Sequence, residues 1–230
     1  MTKLVFLSFY ESIIIKENIM KTNRIAVIGG TGKSGKYLVQ QLLENNYHIK
    51  ILLRNPANFT LQNHLIEIVK GDAREYDSIQ NLIKDCNAVV STLGQPAGEE
   101  SIFRDATENI IKAMNFHGIK RYIVTTGLNV DTPFDHKNEK VKMATDWMYQ
   151  NYPKTTADKQ KEYELLTKSN LDWTLVRLPL INVTDESFMI ETCLEDCKGE
   201  NISATDLGKF LVSQLDDETF IKQSPFLYNI

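Results

Sequence analysis

The sequence predicts an α/β protein: a Rossmann-like, doubly wound parallel sheet with a small C-terminal substrate region. Three observations predict it. Short apolar runs rich in Ile and Val alternate at least five times with stretches whose apolar residues recur every three or four positions, the pattern of strands joined by helices. The apolar runs lack two-residue polar alternation, as expected for parallel strands covered on both faces. Finally, four of the 11 glycines, Gly29, Gly30, Gly32 and Gly35, crowd within seven residues between the first run and the first helical stripe.

Residues 1–22 fit none of these elements. Lys3 followed by LVFLSFY resembles a secretory signal, but Glu11 interrupts the apolar run and no small-x-small cleavage site follows. The segment is expected to be an N-terminal extension, or an over-long reading frame with its working start at Met20. Residues 23–230 form the regular domain, with a substrate region drawn mainly from about 127–200. Its strands are expected at Ile25–Ile28, Ile49–Leu53, Leu65–Val69, Ala88–Thr92, Tyr122–Thr125 and Trp173–Leu178. Helices are expected at Ser34–Glu44, striped by Leu38, Leu42 and Leu43, at Glu75–Lys84, and at Glu99–Phe116, the longest. Further on, Asn129–Glu139 is a loop, Val141–Gln150 and Thr156–Lys168 are helices, and Leu180–Ser187 is a second loop. A hairpin about Cys197-Lys198-Gly199, a helix from Thr205 to Leu215 capped by Ser203 or Thr205, and an edge strand at Phe226–Ile230 complete the chain.

Composition narrows the function classes. The 230 residues suit one domain with a modest elaboration, and 42% hydrophobic with 24% charged residues is ordinary for a globular chain. A net charge of −4 without a dense Lys/Arg tract argues against nucleic acid as the main partner. No run of apolar residues reaches membrane-spanning length, so no membrane partner is expected. Three cysteines, Cys86, Cys193 and Cys197, are too few and odd in number for a disulfide framework, which points to a reducing cytoplasm. Cys193 and Cys197 are four residues apart without a nearby histidine, so no metal site is expected; the acidic run Glu191–Glu200 suits a solvated face. Of the four histidines, only His136, in a loop, is placed to reach a small substrate.

IAVIGGTGKSGKYLVQQLL has the order strand, glycine turn, helix. Gly29, Gly32 and Gly35 give G-x-x-G-x-x-G, with Thr31, Lys33 and Ser34 in the same loop. Glycines there let the backbone approach a pyrophosphate, and the helix amino end offers free N–H groups and partial positive charge. The bland alternative is a turn that merely connects strand and helix. A nucleoside-triphosphate loop is excluded by spacing, because G-x-x-x-x-G-K-[ST] needs glycine where Val27 stands, or Ser/Thr where Tyr37 stands. At the end of the second strand, where an acid would read a free ribose 2′-hydroxyl, the sequence has Arg54, which favours NADP(H) with NAD(H) possible, the bland alternative being an ordinary surface arginine. Lys33 offers a second positive charge. Asp72, after Gly71, is a candidate to lie near the adenine amino group or to cap the helix starting near Glu75, two roles that are compatible.

With these residues, IAVIGGTGKSG, LLRNP, Gly71-Asp72, VVSTLG at 89–94, RYIVTTG at 121–127 and SNLDWTLVRLP at 169–179, the chain resembles the atypical short-chain dehydrogenase/reductase group from about Arg24 to the C-terminus. The resemblance is strongest to biliverdin-IXβ/flavin reductases and regulator-like NAD(P)-binding proteins. It implies that Ser91–Gly94, with Thr92, Leu93 and Gly94, passes the cofactor's ribose and pyrophosphate. It also implies that Thr125, Thr126 and Gly127, with Leu178–Leu180 and so Pro179, flank the nicotinamide. The superfamily's Tyr-x-x-x-Lys is missing: no tyrosine has a lysine four residues later. Lys159 stands at the lysine position, as a candidate catalytic contact or a solvated helix residue, but Thr155 replaces the tyrosine and Gly127 stands where many relatives have serine. These features lead to an NADPH-dependent oxidoreductase passing hydride to a small conjugated acceptor such as a flavin or quinone. The alternatives are a non-catalytic NAD(P)-sensing regulator or a sugar epimerase-like enzyme. The partner is a small molecule, and the chain is a monomer or homodimer.

Overall fold

A computed structural model describes residues 23–95 and 98–230; the extension expected over 1–22 lies outside them. The six apolar runs form β1 (Arg24–Ile28), β2 (His48–Leu53), β3 (Ile66–Lys70), β4 (Ala88–Ser91), β5 (Arg121–Gly127) and β6 (Asp172–Leu178). They pair in parallel in the order β3-β2-β1-β4-β5-β6, and the sheet continues through β10 (Phe226–Asn229) to β8 (Ile190–Cys193). The helices are α1 (Gly35–Glu44), α2 (Tyr76–Ile83), α3 (Phe103–His117), α4 (Glu139–Asn151), α5 (Pro153–Lys168) and α6 (Ala204–Ser213).

The absence of polar alternation in the strands has a direct cause. On β1, Ala26 and Ile28 enter a core with Ile79 and Leu82 of α2, Ile110 and Met114 of α3 and Leu166 of α5. Their neighbours Ile25 and Val27 enter the opposite core with Leu38 and Leu42 of α1 and Leu207 and Leu211 of α6. Ile25 to Ile28 of β1 therefore all meet a helix layer, on one face or the other, and each fully buried Leu or Ile stabilises the fold by about 1.5–3 kcal/mol. Strand order reverses between β1 and β4, which opens a crevice at their carboxyl ends.

Tertiary contacts move several boundaries. The long helix starts at Phe103 rather than Glu99, because its cap comes from another helix: Asp158 on α5 accepts from Ser101 Oγ at 2.6 Å and from the Phe103 and Arg104 amides at 2.9 and 3.3 Å. α4 starts at Glu139, where Asn138 accepts from the Val141 amide. Ser203, not Thr205, caps α6; the Thr205 hydroxyl donates to Thr184 O instead. The expected loop at 180–187 contains β7 (Leu180–Asn182), which pairs in parallel with β9 (Asn201–Ser203). No hairpin forms about Cys197–Gly199, since β8 pairs antiparallel with β10 and β9 pairs with β7. β10 is not an edge: Phe226, Leu227 and Tyr228 are at most 1% exposed, too apolar for one, and β8 covers them. The acidic run is largely a solvated face, with Glu191, Glu195 and Glu200 exposed and Cys197 the buried residue within it.

Arg177, fully buried on β6, ties this C-terminal half together. It pairs with Asp135 at 2.6 Å, donates to the carbonyls of Val130, Leu194 and Ser224, and stacks on Phe226. Buried Lys137 binds Asp131 at 2.6 Å and Asp135 at 3.5 Å, so ion pairs order the 129–139 loop.

Candidate functional site

The glycine turn closes on itself at the carboxyl end of β1. Gly29 has φ +78°, and a Cβ there would lie 2.6 Å from Thr92 O. A Cβ at Gly35 would lie 2.1 Å from Gly29 O, so the start of α1 packs backbone to backbone on the turn. Gly32 differs: its Cβ would meet only Gly29 O, at 3.2 Å, and is otherwise directed into open space. The Thr92 hydroxyl donates to Ile28 O and Gly29 O at 3.4 and 3.3 Å, fastening the end of β4 to the turn.

This turn forms one wall of a cleft of about 460 Å³, lined by Gly29, Thr31, Gly32, Lys33, Ser34, Arg54, Asp72, Thr92, Leu93 and Gly94, together with Gly71, Gln95 and Ile102. The amino end of α1 faces the turn, where free amides and the helix dipole favour an anion. Asp72 is not the cap of α2: its oxygens accept from the Arg74 amide and guanidinium at 2.9 and 3.1 Å, and the cap position is Glu75. Nor does Arg54 stand alone. Its Nη1 donates to Glu99 at 2.8 Å, and Glu99 also takes Arg74 Nη2 at 2.6 Å. Those two hydrogen bonds hold the Glu99 carboxyl below the usual range. Sequence reasoning missed Arg74 and Glu99; Glu99 lies far from Arg54 in sequence and carries no motif.

A second cavity, about 440 Å³, opens at the carboxyl ends of β5 and β6. Gly127, Leu128, Val141, Trp147, Met148, Pro179 and Leu180 make it largely apolar, with Lys140 and Glu200 also lining it and paired to each other. Gly127 and Pro179 thus line this second cavity, and Thr125 and Thr126 are buried at the end of β5. Asn129 also lines it: its carboxamide occupies the place of a Gly127 Cβ, 2.3 Å from where that atom would stand, and its buried Nδ2 has no hydrogen-bond partner. A serine at position 127 would need Asn129 to move.

Lys159 lines neither cavity and is not a solvated helix residue. It is half-buried, donates to Thr126 Oγ1 at 3.3 Å and lies 3.9 Å over the Phe103 ring. Burial lowers its pKa, partly offset by Glu162 and Asp158. Glu162, buried one turn further on, accepts from Thr107 at 2.8 Å, and burial pushes its pKa up to about 7. Exposed His136 lines neither cavity; its backbone amide pairs with Glu195 O. No helix among the described residues is long and apolar enough to cross a membrane.

Comparison with known proteins agrees with this geometry. Residues 29–218 match a family described as NAD(P)H-binding. An isoflavone reductase homologue from Nicotiana tabacum is 32% identical over 124 residues, 49% of this chain and 38% of that protein. A photosystem II assembly factor from Trieres chinensis is 24% identical over 205 residues, 86% of this chain and 62% of the relative, so the chain spans less than two thirds of either. Among solved structures, a short-chain dehydrogenase/reductase from Veillonella parvula in complex with NADP superposes with a TM-score of 0.75, covering 90% of this chain and 94% of that one at 18% identity. An anaerobillin reductase from Escherichia coli reaches 0.72, covering 90% and 97% at 18% identity. At such identities the two structures share the fold.

Proposed function

The chain belongs to the NAD(P)H-binding family, and from that premise we propose that it is an NADPH-dependent reductase acting on a small conjugated acceptor such as a flavin or quinone. The observation that carries this reading is the juxtaposition, at one carboxyl edge of the sheet, of a glycine-walled anion cleft and an apolar cavity. The cleft suits a dinucleotide: the Gly32 Cβ direction is open, the α1 amino end faces the turn, and Arg54 and Lys33 supply positive charge at the wall. Residues 29–35 would hold the pyrophosphate, Arg54 the 2′-phosphate, and Thr125–Gly127 with Pro179 the nicotinamide. When bound, the reduced nicotinamide supplies a hydride.

The chain's own part is binding, orientation and exclusion of water. Trp147, Met148 and Leu128 offer flat and adaptable apolar surface to a conjugated ring. Lys159 is a positioning residue in this scheme, since it orients Thr126 at the end of β5. With Thr155 where a tyrosine acid would stand, the acceptor takes its proton from water, which suits flavins and quinones better than isolated ketones. NADPH oxidation against a panel of flavins, quinones and enones, with NADPH binding measured in parallel, tests the proposal. Turnover with a conjugated acceptor supports it. Tight binding without any turnover favours the second reading, a nucleotide-sensing regulator, to which the assembly-factor relative's 86% coverage of this chain lends weight.

A further inference from the structure

At the rim of the cleft, the Glu99 carboxylate sits between two guanidiniums. Oε1 accepts from Arg54 Nη1 at 2.8 Å and Oε2 from Arg74 Nη2 at 2.6 Å, one arginine to each oxygen. This is the arrangement in which charge-assisted N–H donors hold a phosphate. Asp72 binds Arg74 independently, at 3.1 Å to its guanidinium and 2.9 Å to its backbone amide, so Arg74 stays oriented whether or not Glu99 is in place. Glu99 itself belongs to no helix or strand and follows Gly98, whose φ is +74°. Its backbone carbonyl accepts from Gln95, a residue that lines the cleft.

Resting on the reading of the cleft as an NADP(H) site, we propose that Glu99 is an intramolecular stand-in for the nucleotide's 2′-phosphate. It bridges Arg54 and Arg74 while the site is empty or holds NADH, and gives way when a 2′-phosphate takes both guanidiniums. Glu99 thereby sets the preference between the two nucleotides. NADPH must break two ion pairs to bind, whereas NADH, with an uncharged 2′-hydroxyl, leaves them in place. Arg54, Arg74 and Glu99 have side chains 50%, 33% and 38% exposed, so solvent screens the pairs and the effect is moderate.

The test is the ratio of NADPH to NADH affinity in the wild-type chain and in Glu99→Gln, Glu100→Gln and Arg74→Ala, at one fixed salt concentration. Glu99→Gln should tighten NADPH roughly 3- to 10-fold and leave NADH within about twofold. Glu100→Gln, which removes a neighbouring charge outside the bridge, should leave the ratio unchanged, and Arg74→Ala should lower it. An unchanged or lower ratio in Glu99→Gln, an equal rise in Glu100→Gln, or an unaffected ratio in Arg74→Ala overturns the inference. A wild-type chain that binds neither nucleotide refutes the proposed function instead, whereas one that binds NADPH with an unmoved Glu99→Gln ratio refutes only the role of Glu99.

Discussion

Gly35 and Gly32 sit three residues apart in one loop, yet substitution should affect them in opposite ways. A Cβ at Gly35 falls 2.1 Å from Gly29 O and 2.8 Å from Gly30 Cα, backbone atoms that cannot swing aside. The turn must open, which endangers the 3.0 Å hydrogen bond from the Gly32 amide to Gly29 O. One lost hydrogen bond is worth about 1 kcal/mol, and overpacking or backbone strain adds about 1–3 kcal/mol. Restricting the unfolded chain returns about 0.4–1 kcal/mol. Gly35→Ala should therefore cost about 2–3 kcal/mol, lowering the melting temperature by roughly 5–10 °C. At Gly32 the Cβ meets only Gly29 O, at 3.2 Å, so Gly32→Val should melt within about 3 °C of wild type. Its side chain instead enters the space a pyrophosphate needs, and NADPH affinity should fall at least roughly tenfold. Thermal melts and NADPH titrations of both variants are the assay. Wild-type stability in Gly35→Ala would refute the packing argument. Unchanged NADPH affinity in folded Gly32→Val would refute the loop's assignment.

Other consequences follow from buried charge. Because burial raises the Glu162 carboxyl from 4.5 to about 7, the folded chain binds a proton the unfolded chain has released between those values, and stability should fall as pH rises across them. Glu162→Gln should flatten that slope and, at pH 8, stabilise by up to about 3 kcal/mol; denaturant melts from pH 5 to 8 showing parallel curves for both chains would refute this. Arg177→Met removes the guanidinium donor from the Leu194 and Ser224 carbonyls and leaves Val130 O and Asp135 to Lys137 alone among the buried cations. It should cost about 3–5 kcal/mol in urea unfolding, and a loss under about 1 kcal/mol would show that the network is not structural.

The doubly wound frame was legible because β1, β2, β4, β5 and β6 are mainly apolar and lack regular polar alternation, the pattern that burial on both faces produces. The wall of the cleft was legible for a similar reason: glycines at 29, 32 and 35 and an arginine directly after β2 are local signals with fixed geometric meaning. What escaped depends on partners distant in sequence. The start of α3 is fixed by Asp158, 55 residues downstream of Phe103, and the carboxylate facing Arg54 comes from Glu99, 45 residues on. β10 is short, and its position inside the sheet became visible only once β8 was seen to cover it. Asn129 resembled any loop asparagine until its carboxamide was found filling the space beside Gly127.

The most direct test of the account is the ratio of the NADPH and NADH dissociation constants in the wild-type chain and in Arg54→Ala at one ionic strength, since screening would blur the contrast. Arg54 is half exposed and already paired with Glu99, so its contact with a 2′-phosphate belongs at the lower end of charged hydrogen bonds, about 1.5 kcal/mol or roughly tenfold. The account predicts that wild type prefers NADPH, that Arg54→Ala weakens NADPH by about that factor, and that NADH affinity hardly moves. Equal affinity for the two nucleotides in wild type, or an equal loss of both in Arg54→Ala, would contradict it.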